Sequence, residues 1–187
     1  MPVPSDAGGD AAPDAIAPAD AVAPLPTCTQ TGRLVPARTL VVNAPNETGV
    51  TCGEENVFAD DGKLVGLDRS AAGDCAQIDG RRVSGCVAVE MPSKISIAYV
   101  RMLTIARGCV NSCVADACGT GQTANVFVGA NLQQLKFLRE QEINGASTEY
   151  AFPITSVSDA RVVVVCRTCF GVARDDIGVD AIVGECR

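Results

Sequence analysis

Two closely spaced cysteines are the residues whose type and spacing first suggest chemistry. Cys166 and Cys169 lie in the stretch RVVVVCRTCFG, directly after four consecutive valines. Such a pair is typical of a redox site, a zinc site or the ends of two separate disulfides. A thioredoxin-like site needs the pair to open a helix, because the helix N-terminus lowers the pKa of the thiol. The residues that follow, CFGVARDD, are typical of a loop, so the sequence disfavours a redox pair.

Zinc and disulfides are the two remaining interpretations. A Cys₄ zinc site would join Cys109 and Cys113 to Cys166 and Cys169, but it leaves six other cysteines unexplained. Because side chains alternate along a strand, Cys166 and Cys169 should point to opposite faces and bond different partners. Disulfides explain every cysteine, so the disulfide candidates are Cys28, Cys52, Cys75, Cys86, Cys109, Cys113, Cys118, Cys166, Cys169 and Cys186.

One disulfide partner can be suggested from a turn. Cys75 and Cys86 flank AQIDGRRVSG, in which Asp79-Gly80 is a hairpin signal. Strands joined at that turn bring the two cysteines near each other. We therefore expect a Cys75–Cys86 bridge, while the remaining connectivity stays open.

The composition excludes most kinds of catalysis. The chain has ten cysteines and no histidine, which removes Ser-His-Asp and Cys-His catalysis and histidine-ligated zinc. An even number of cysteines is typical of an oxidising compartment. We therefore expect an exported protein, extracellular or on the outer cell surface or in the periplasm, and not an enzyme.

The first 27 residues differ in composition from the rest. Four of the 22 acidic residues lie there, with no Lys or Arg, among many Ala and Pro. Such a segment buries too little apolar surface to order itself, so we expect a disordered linker over residues 1–27 and a folded domain over 28–187. Charges in the folded part are nearly balanced, which makes nucleic acid an unlikely partner. No apolar stretch is long enough to span a membrane.

This linker resembles the tethers that follow the lipid-bearing cysteine of bacterial surface lipoproteins. The resemblance implies a lipid anchor in the native precursor, with Met1 standing where a signal sequence has been removed. The alternative is a cytosolic protein with a flexible tail, which the cysteine usage disfavours.

Short alternating segments from Cys28 onward predict an all-β domain. Val87, Val89 and Met91 share one face, and ISIAYVRMLTIAR is apolar on both faces, as in a central strand. Pro153 indicates an edge strand. In the last strand we expect one apolar face made of Ile177, Val179, Ala181 and Val183. Residues 131–143 fit a helix capped by Asn131 almost as well as a strand, and the β context favours a strand.

The order of the C-terminal segments resembles a known family. ANVFVGA, ASTEYAFPI, SDARVVVVCR and ARDDIGVDAIVGEC follow one another as in galactose-binding-like domains, which include MAM-type domains and many carbohydrate-binding modules. The likeness covers residues 95–187 and implies a jelly-roll β-sandwich. It also implies a structural calcium ion at Asp180, for which Asp175 and Asp176 would supply further oxygen ligands. The alternative is that all three are solvated residues.

The resemblance weakens where ligand binding is concerned. Sugar-binding members stack rings on exposed aromatics, whereas this chain has no Trp, two Tyr and five Phe. We expect a non-catalytic recognition or adhesion module displayed at the cell surface, with a protein or glycan partner. The alternatives are a structural subunit of an extracellular fibre or coat, and a zinc-stabilised binding domain.

Overall fold

Twelve β-strands make up most of the described chain. The computed structural model describes residues 32–40, 50–51, 54–58, 63–67, 75–105, 122–169 and 176–186. The strands are β1 (Gly32–Leu34), β2 (Arg38–Leu40), β3 (Val50–Thr51), β4 (Val65–Leu67), β5 (Ala76–Ile78), β6 (Arg81–Glu90), β7 (Ile97–Ile105), β8 (Gln122–Gly129), β9 (Lys136–Ile143), β10 (Thr148–Pro153), β11 (Val162–Thr168) and β12 (Asp176–Cys186). In this part of the chain the helices are short 3₁₀ turns at Glu54–Phe58 and Leu132–Gln134, and none is long and apolar enough to cross a membrane.

Two antiparallel sheets form a β-sandwich, which confirms the predicted fold class. Sheet I has the order β10-β7-β12-β4-β3. Strand β1 pairs with the C-terminal end of β12, past the residues of β12 that pair with β4. Sheet II has the order β2-β6-β11-β8-β9, and β5 pairs with β6. As predicted, β7 is central and β10, which ends at Pro153, is an edge strand. The predicted linker, residues 1–27, lies outside the described residues.

The main core lies between the sheets. The predicted face of Val87, Val89 and Met91 enters it from sheet II, where it meets Val163 and Val165 of β11. Sheet I contributes alternate residues of its strands, among them Ala98, Val100, Met102 and Phe152. These apolar side chains are almost fully buried. Burial of apolar surface stabilises a fold by roughly 25 cal/mol for each Å² removed from water.

Strand β12 departs from the predicted alternation. Its pairing with β7 shifts between Val179 and Ala181, so Asp180 is an extra residue at a β-bulge. Ile177 and Val179 face the core, but beyond the bulge Ile182 and Cys186 do so. The prediction that Ala181 and Val183 continue the same apolar face is therefore wrong, because the bulge reverses the parity.

Residues 131–143 form a strand, as the β context favoured. The helical signals are realised only locally: the Asn131 side chain accepts a hydrogen bond from the Gln133 N–H at the 3₁₀ turn Leu132–Gln134. The chain then enters β9 at Lys136. Gly145, with φ of 70°, lies in the turn that leads to β10.

Candidate functional site

Two disulfides hold the end of β11 to the β5–β6 region. Cys86 bonds Cys166, its direct cross-strand neighbour, with 4.1 Å between the Cα atoms. Cys75 bonds Cys169, with 5.9 Å between the Cα atoms. Cys186 is also disulfide-bonded. The other five candidates, Cys28, Cys52, Cys109, Cys113 and Cys118, lie outside the described residues.

These bonds answer the question raised by the Cys-x-x-Cys spacing. Cys166 and Cys169 serve different partners, as the alternation of a strand requires. The zinc set that contained them is wrong, because neither has a thiolate to offer a metal. The expected Cys75–Cys86 bridge is also wrong: the hairpin forms, but Cys86 lies opposite Cys166 in the sheet, and Cys75 reaches Cys169 instead.

The β5–β6 hairpin belongs to sheet II, and its tip turns over the outer face of that sheet to reach β9. Asp79 and Gly80 have positive φ angles of 42° and 80°, as a tight two-residue turn requires. Gly85, with φ of 48°, has no residue opposite it on β11, so β6 carries a bulge there. Ala76, Ile78 and Val83 lie on one face of the hairpin and join the apolar cluster on the outer face of sheet II.

The tip of the hairpin is bound to β9. The Phe137 N–H donates to Asp79 Oδ2 at 2.7 Å, and Lys136 Nζ lies 3.5 Å from Asp79 Oδ1. Arg81 stacks on the Phe137 ring, 3.9 Å from its centroid, and donates to Glu140 at 3.2 Å. The backbone hydrogen bond from Phe137, with help from Lys136, lowers the pKa of Asp79 below its usual value. The tip is therefore held by charged and polar contacts at the surface.

A cleft of about 300 Å³ lies between this hairpin and the 3₁₀ turn. Its apolar lining is Ala76, Ile78, Leu132 and Leu135. The exposed polar residues Gln77, Asp79 and Gln133 complete its described lining. Because Asp79 is already paired with Lys136, the described part of the cleft lining is aliphatic and neutral, without an uncompensated charge.

A buried polar atom lies on the same outer face. Asn125 is 1% exposed, and its Oδ1 is buried with no hydrogen-bond partner among the described residues. Its Nδ2 donates to Thr168 Oγ1 at 2.6 Å. An unsatisfied buried acceptor costs about 1–3 kcal/mol, so this atom lowers the stability of the fold.

Aromatic rings are largely withdrawn from the surface. Phe127 and Phe152 are fully buried, and Phe58 and Tyr150 pack against the core. The other two described rings each carry a stacked arginine: Arg81 lies over Phe137 and Arg33 over Tyr99, the latter at 4.4 Å. A sugar ring stacking on either one would have to displace a guanidinium.

The predicted calcium ligands lie at the start of β12. Asp176 forms a buried ion pair with Arg167, whose Nη1 is 2.8 Å from Asp176 Oδ1. Asp180 is buried at the bulge, and Asp175 lies outside the described residues. The described residues contain no group of three acidic or cysteine side chains that could hold a metal ion. A calcium ion would compete with Arg167 for Asp176, so the described donors fit it poorly, and calcium stays a prediction.

Sequence reasoning missed the cleft and Asn125. Gln77, Gln133 and Asn125 are ordinary polar residues in the sequence, with no spacing that marks them. One signal was present. Gly85 is the first residue of GCVAVEM, and a glycine within a strand pattern is typical of a bulge that redirects the strand.

Comparison with known proteins gives structural likeness without sequence similarity. No protein-family model matches the chain, and no curated protein is similar to it in sequence. A family 29 carbohydrate-binding module from Piromyces equi is similar in structure, with a TM-score of 0.44 and 12% identity over 86% of this chain and 89% of that one. CBM32-3, from a family 31 glycoside hydrolase of Clostridium perfringens, has a TM-score of 0.43 and 8% identity over 82% of this chain and 91% of that one. These structural matches do not identify a ligand for this chain.

Proposed function

We propose that this protein is a non-catalytic, exported recognition module that binds an uncharged, extended polypeptide segment in the cleft beside the β5–β6 hairpin. The observation that carries the proposal is the chemistry of the cleft lining. Its aliphatic floor suits an aliphatic side chain, and the Gln133 amide can both donate to and accept from a peptide backbone.

A polypeptide fits the described surface better than a glycan does. Sugar binding commonly uses an open aromatic face, and the rings of Tyr99 and Phe137 are stacked by arginines. None of the described residues that line the cleft is aromatic. A strongly charged partner is also disfavoured, because Asp79 is compensated by Lys136.

Export and display at a bacterial cell surface complete the proposal. Disulfides Cys75–Cys169 and Cys86–Cys166 support an oxidising compartment. The Ala/Pro/Asp-rich segment 1–27 would act as the tether, with a lipid anchor in the native precursor.

A peptide library tests the proposal directly. The folded, oxidised protein is used to select from a phage-displayed library of random peptides, and a selected peptide is synthesised for isothermal titration calorimetry. We expect Gln133→Ala to weaken binding about three- to tenfold, since it removes one hydrogen bond. Gln141→Ala, on β9 away from the cleft, is the matched control and should bind as the unaltered protein does.

Two results would contradict the proposal. The first is a glycan array that yields a ligand while the peptide selection yields none. The second is a protein that binds no peptide and forms filaments at high concentration, as seen by negative-stain electron microscopy. That result would favour the structural-subunit alternative.

A further inference from the structure

The cleft lies along the edge of β5 that faces away from β6. Its described lining includes every residue from Ala76 to Asp79 and none from β6. Side chains of a strand alternate between two faces, so a cleft above one face would be lined by alternate residues only. The part of a strand that consecutive residues share is its backbone edge. Among the described strands, only β6 pairs with β5, so this edge has no strand beside it.

The hairpin turn fixes which pairs of β5 and β6 are hydrogen-bonded. The two-residue turn Asp79-Gly80, in which both φ angles are positive, is closed by hydrogen bonds between its flanking residues, Ile78 and Arg81. Hydrogen-bonded and non-hydrogen-bonded pairs alternate along an antiparallel ladder. The next pair, Gln77 and Arg82, therefore exchanges no backbone hydrogen bonds.

A hydrogen bond on the other side of β6 agrees with this pairing. The Arg82 carbonyl accepts from the Cys169 N–H at 3.0 Å, so the polar backbone groups of Arg82 point away from β5. In a non-hydrogen-bonded pair, the N–H and carbonyl groups of both residues point away from the partner strand. Those of Gln77 therefore point to the cleft, and no described residue bonds to them. The Gln77 side chain lies on the face opposite to Ala76 and Ile78.

We propose that the bound polypeptide adds a strand to the free edge of β5, antiparallel to it, so that one ligand residue exchanges two backbone hydrogen bonds with Gln77. This inference rests on the proposed function. The partial positive charge of the Gln77 N–H and the partial negative charge of its carbonyl complement the carbonyl and the N–H of one extended residue. An antiparallel strand satisfies both groups with a single residue, and such pairing is the more stable one.

The added strand determines the sequence of the ligand. Directly opposite residues of paired strands point their side chains to the same face. The middle residue, bonded to Gln77, therefore points to solvent as Gln77 does. Its two neighbours lie opposite Ala76 and Ile78 and point toward the apolar cluster against which Leu132 and Leu135 also pack. The ligand thus has an apolar residue on each side of a middle residue that can be any type except proline, which lacks the N–H.

The test separates the backbone of Gln77 from its side chain. Gln77→Pro removes the N–H and places the proline ring where the ligand carbonyl would lie, whereas Gln77→Ala, the matched control, removes only the side chain. We expect Gln77→Pro to weaken binding of the selected peptide by about tenfold or more, and Gln77→Ala to bind within about twofold of the unaltered protein. Proline fits an edge position whose N–H is unpaired, so the melting temperature of Gln77→Pro should stay close to that of the unaltered protein.

A second change is made in the peptide and decides the question even if Gln77→Pro fails to fold. Methylation of the backbone nitrogen of the middle residue removes its N–H and should weaken binding by about tenfold or more. Replacing the side chain of that residue by alanine or lysine should change binding by less than about twofold, because it points to solvent. Replacing either apolar neighbour by serine should weaken binding by about tenfold, because its burial is lost.

The outcomes separate this inference from the proposed function. The proposed function fails when the unaltered protein binds no peptide in the cleft. The inference is overturned when a peptide binds in the cleft and its N-methylated form binds equally tightly, or when Gln77→Pro binds it as Gln77→Ala does. It is also overturned when the protein sediments as a dimer that Gln77→Pro dissociates, because a second copy of the chain would then occupy the edge.

Discussion

Arg33 links the first described strand to the far edge of sheet I. Its guanidinium makes two hydrogen bonds to the Glu149 carboxylate, of 2.6 and 2.5 Å, and crosses over the Tyr99 ring. The side-chain hydrogen bond from Arg33 lowers the pKa of Glu149 below its ordinary value of 4.5. Glu90 is similarly held by Arg38 and then Arg161, which lower its pKa.

These carboxylates predict a dependence of stability on pH. A lowered pKa in the folded state stabilises the fold above about pH 4.5, and that contribution is lost as pH falls through the lowered value. Glu149→Gln should lose about 1 kcal/mol at pH 7, and its difference from the unaltered protein should shrink on acidification. Melting temperatures between pH 7 and pH 3 measure this. An equal difference at both ends would contradict the role of the carboxylate charge.

The buried pair of Arg167 and Asp176 behaves differently from the surface pairs. Both side chains are withdrawn from water, so removing one partner leaves a buried charge. We expect Asp176→Ala to lower the free energy of unfolding by about 3–5 kcal/mol, measured by urea titration. Asp159→Ala, an acidic residue outside the sandwich core, should change it by less than about 0.5 kcal/mol. Equal effects of the two would show that the pair is not structural.

Among the elements, the strands themselves were largely predictable and their irregularities were not. Val87, Val89 and Met91 face the core as their alternation indicated, because one face of β6 is buried between sheets. The bulge at Asp180 left no trace in the pattern, since Ala181 and Ile182 are both apolar and either can face inward. The folding of the β5–β6 hairpin over sheet II depends on a bend at Gly85 and on contacts distant in sequence.

The bulge in β12 gives an element-scale prediction. Ile182 and Cys186 face the core because Asp180 is an extra residue of β12: Val179 pairs with Met102 and Ala181 with Arg101, which are adjacent on β7. Deleting Asp180 should give a regular strand with the same residues facing inward, so the variant should fold with a β-type circular dichroism spectrum. Deleting Val183 should instead turn Gly184 and Cys186 outward and prevent folding. Misfolding of both variants alike would contradict this account of the register.

At the scale of the whole molecule, the two disulfides act at different places on the hairpin. Their loops are similar, with sequence separations of 94 and 80 residues. Replacing either pair by alanine should therefore cost a comparable amount, about 2–4 kcal/mol. Only loss of Cys75–Cys169 should free the base of β5, which lines the cleft.

Hydrogen exchange distinguishes the two pairs. The Phe137 amide, bonded to Asp79 at the hairpin tip, should exchange much faster in the Cys75→Ala/Cys169→Ala variant than in the Cys86→Ala/Cys166→Ala variant. Equal exchange in both would mean that the hairpin is held in place without its disulfide.

Function could be predicted from the sequence only as a class. The missing histidine and the even cysteine count led us to expect an exported module without familiar catalysis, but the cleft is assembled from β5 and the 3₁₀ turn, which are over 50 residues apart in the chain. Which cysteines bond each other likewise depends on which strands are neighbours. Spacing along the chain does not determine either.

The central claim, that the cleft beside the hairpin is the binding site, is tested most directly by nuclear magnetic resonance. The ¹⁵N-labelled, oxidised protein is titrated with the peptide selected from the library. We expect the largest amide shift changes in Ala76–Ile78 and Leu132–Leu135, and small changes on sheet I around Tyr99 and Glu149. The largest changes on the outer face of sheet I, with none at Gln77 or Gln133, would contradict the account.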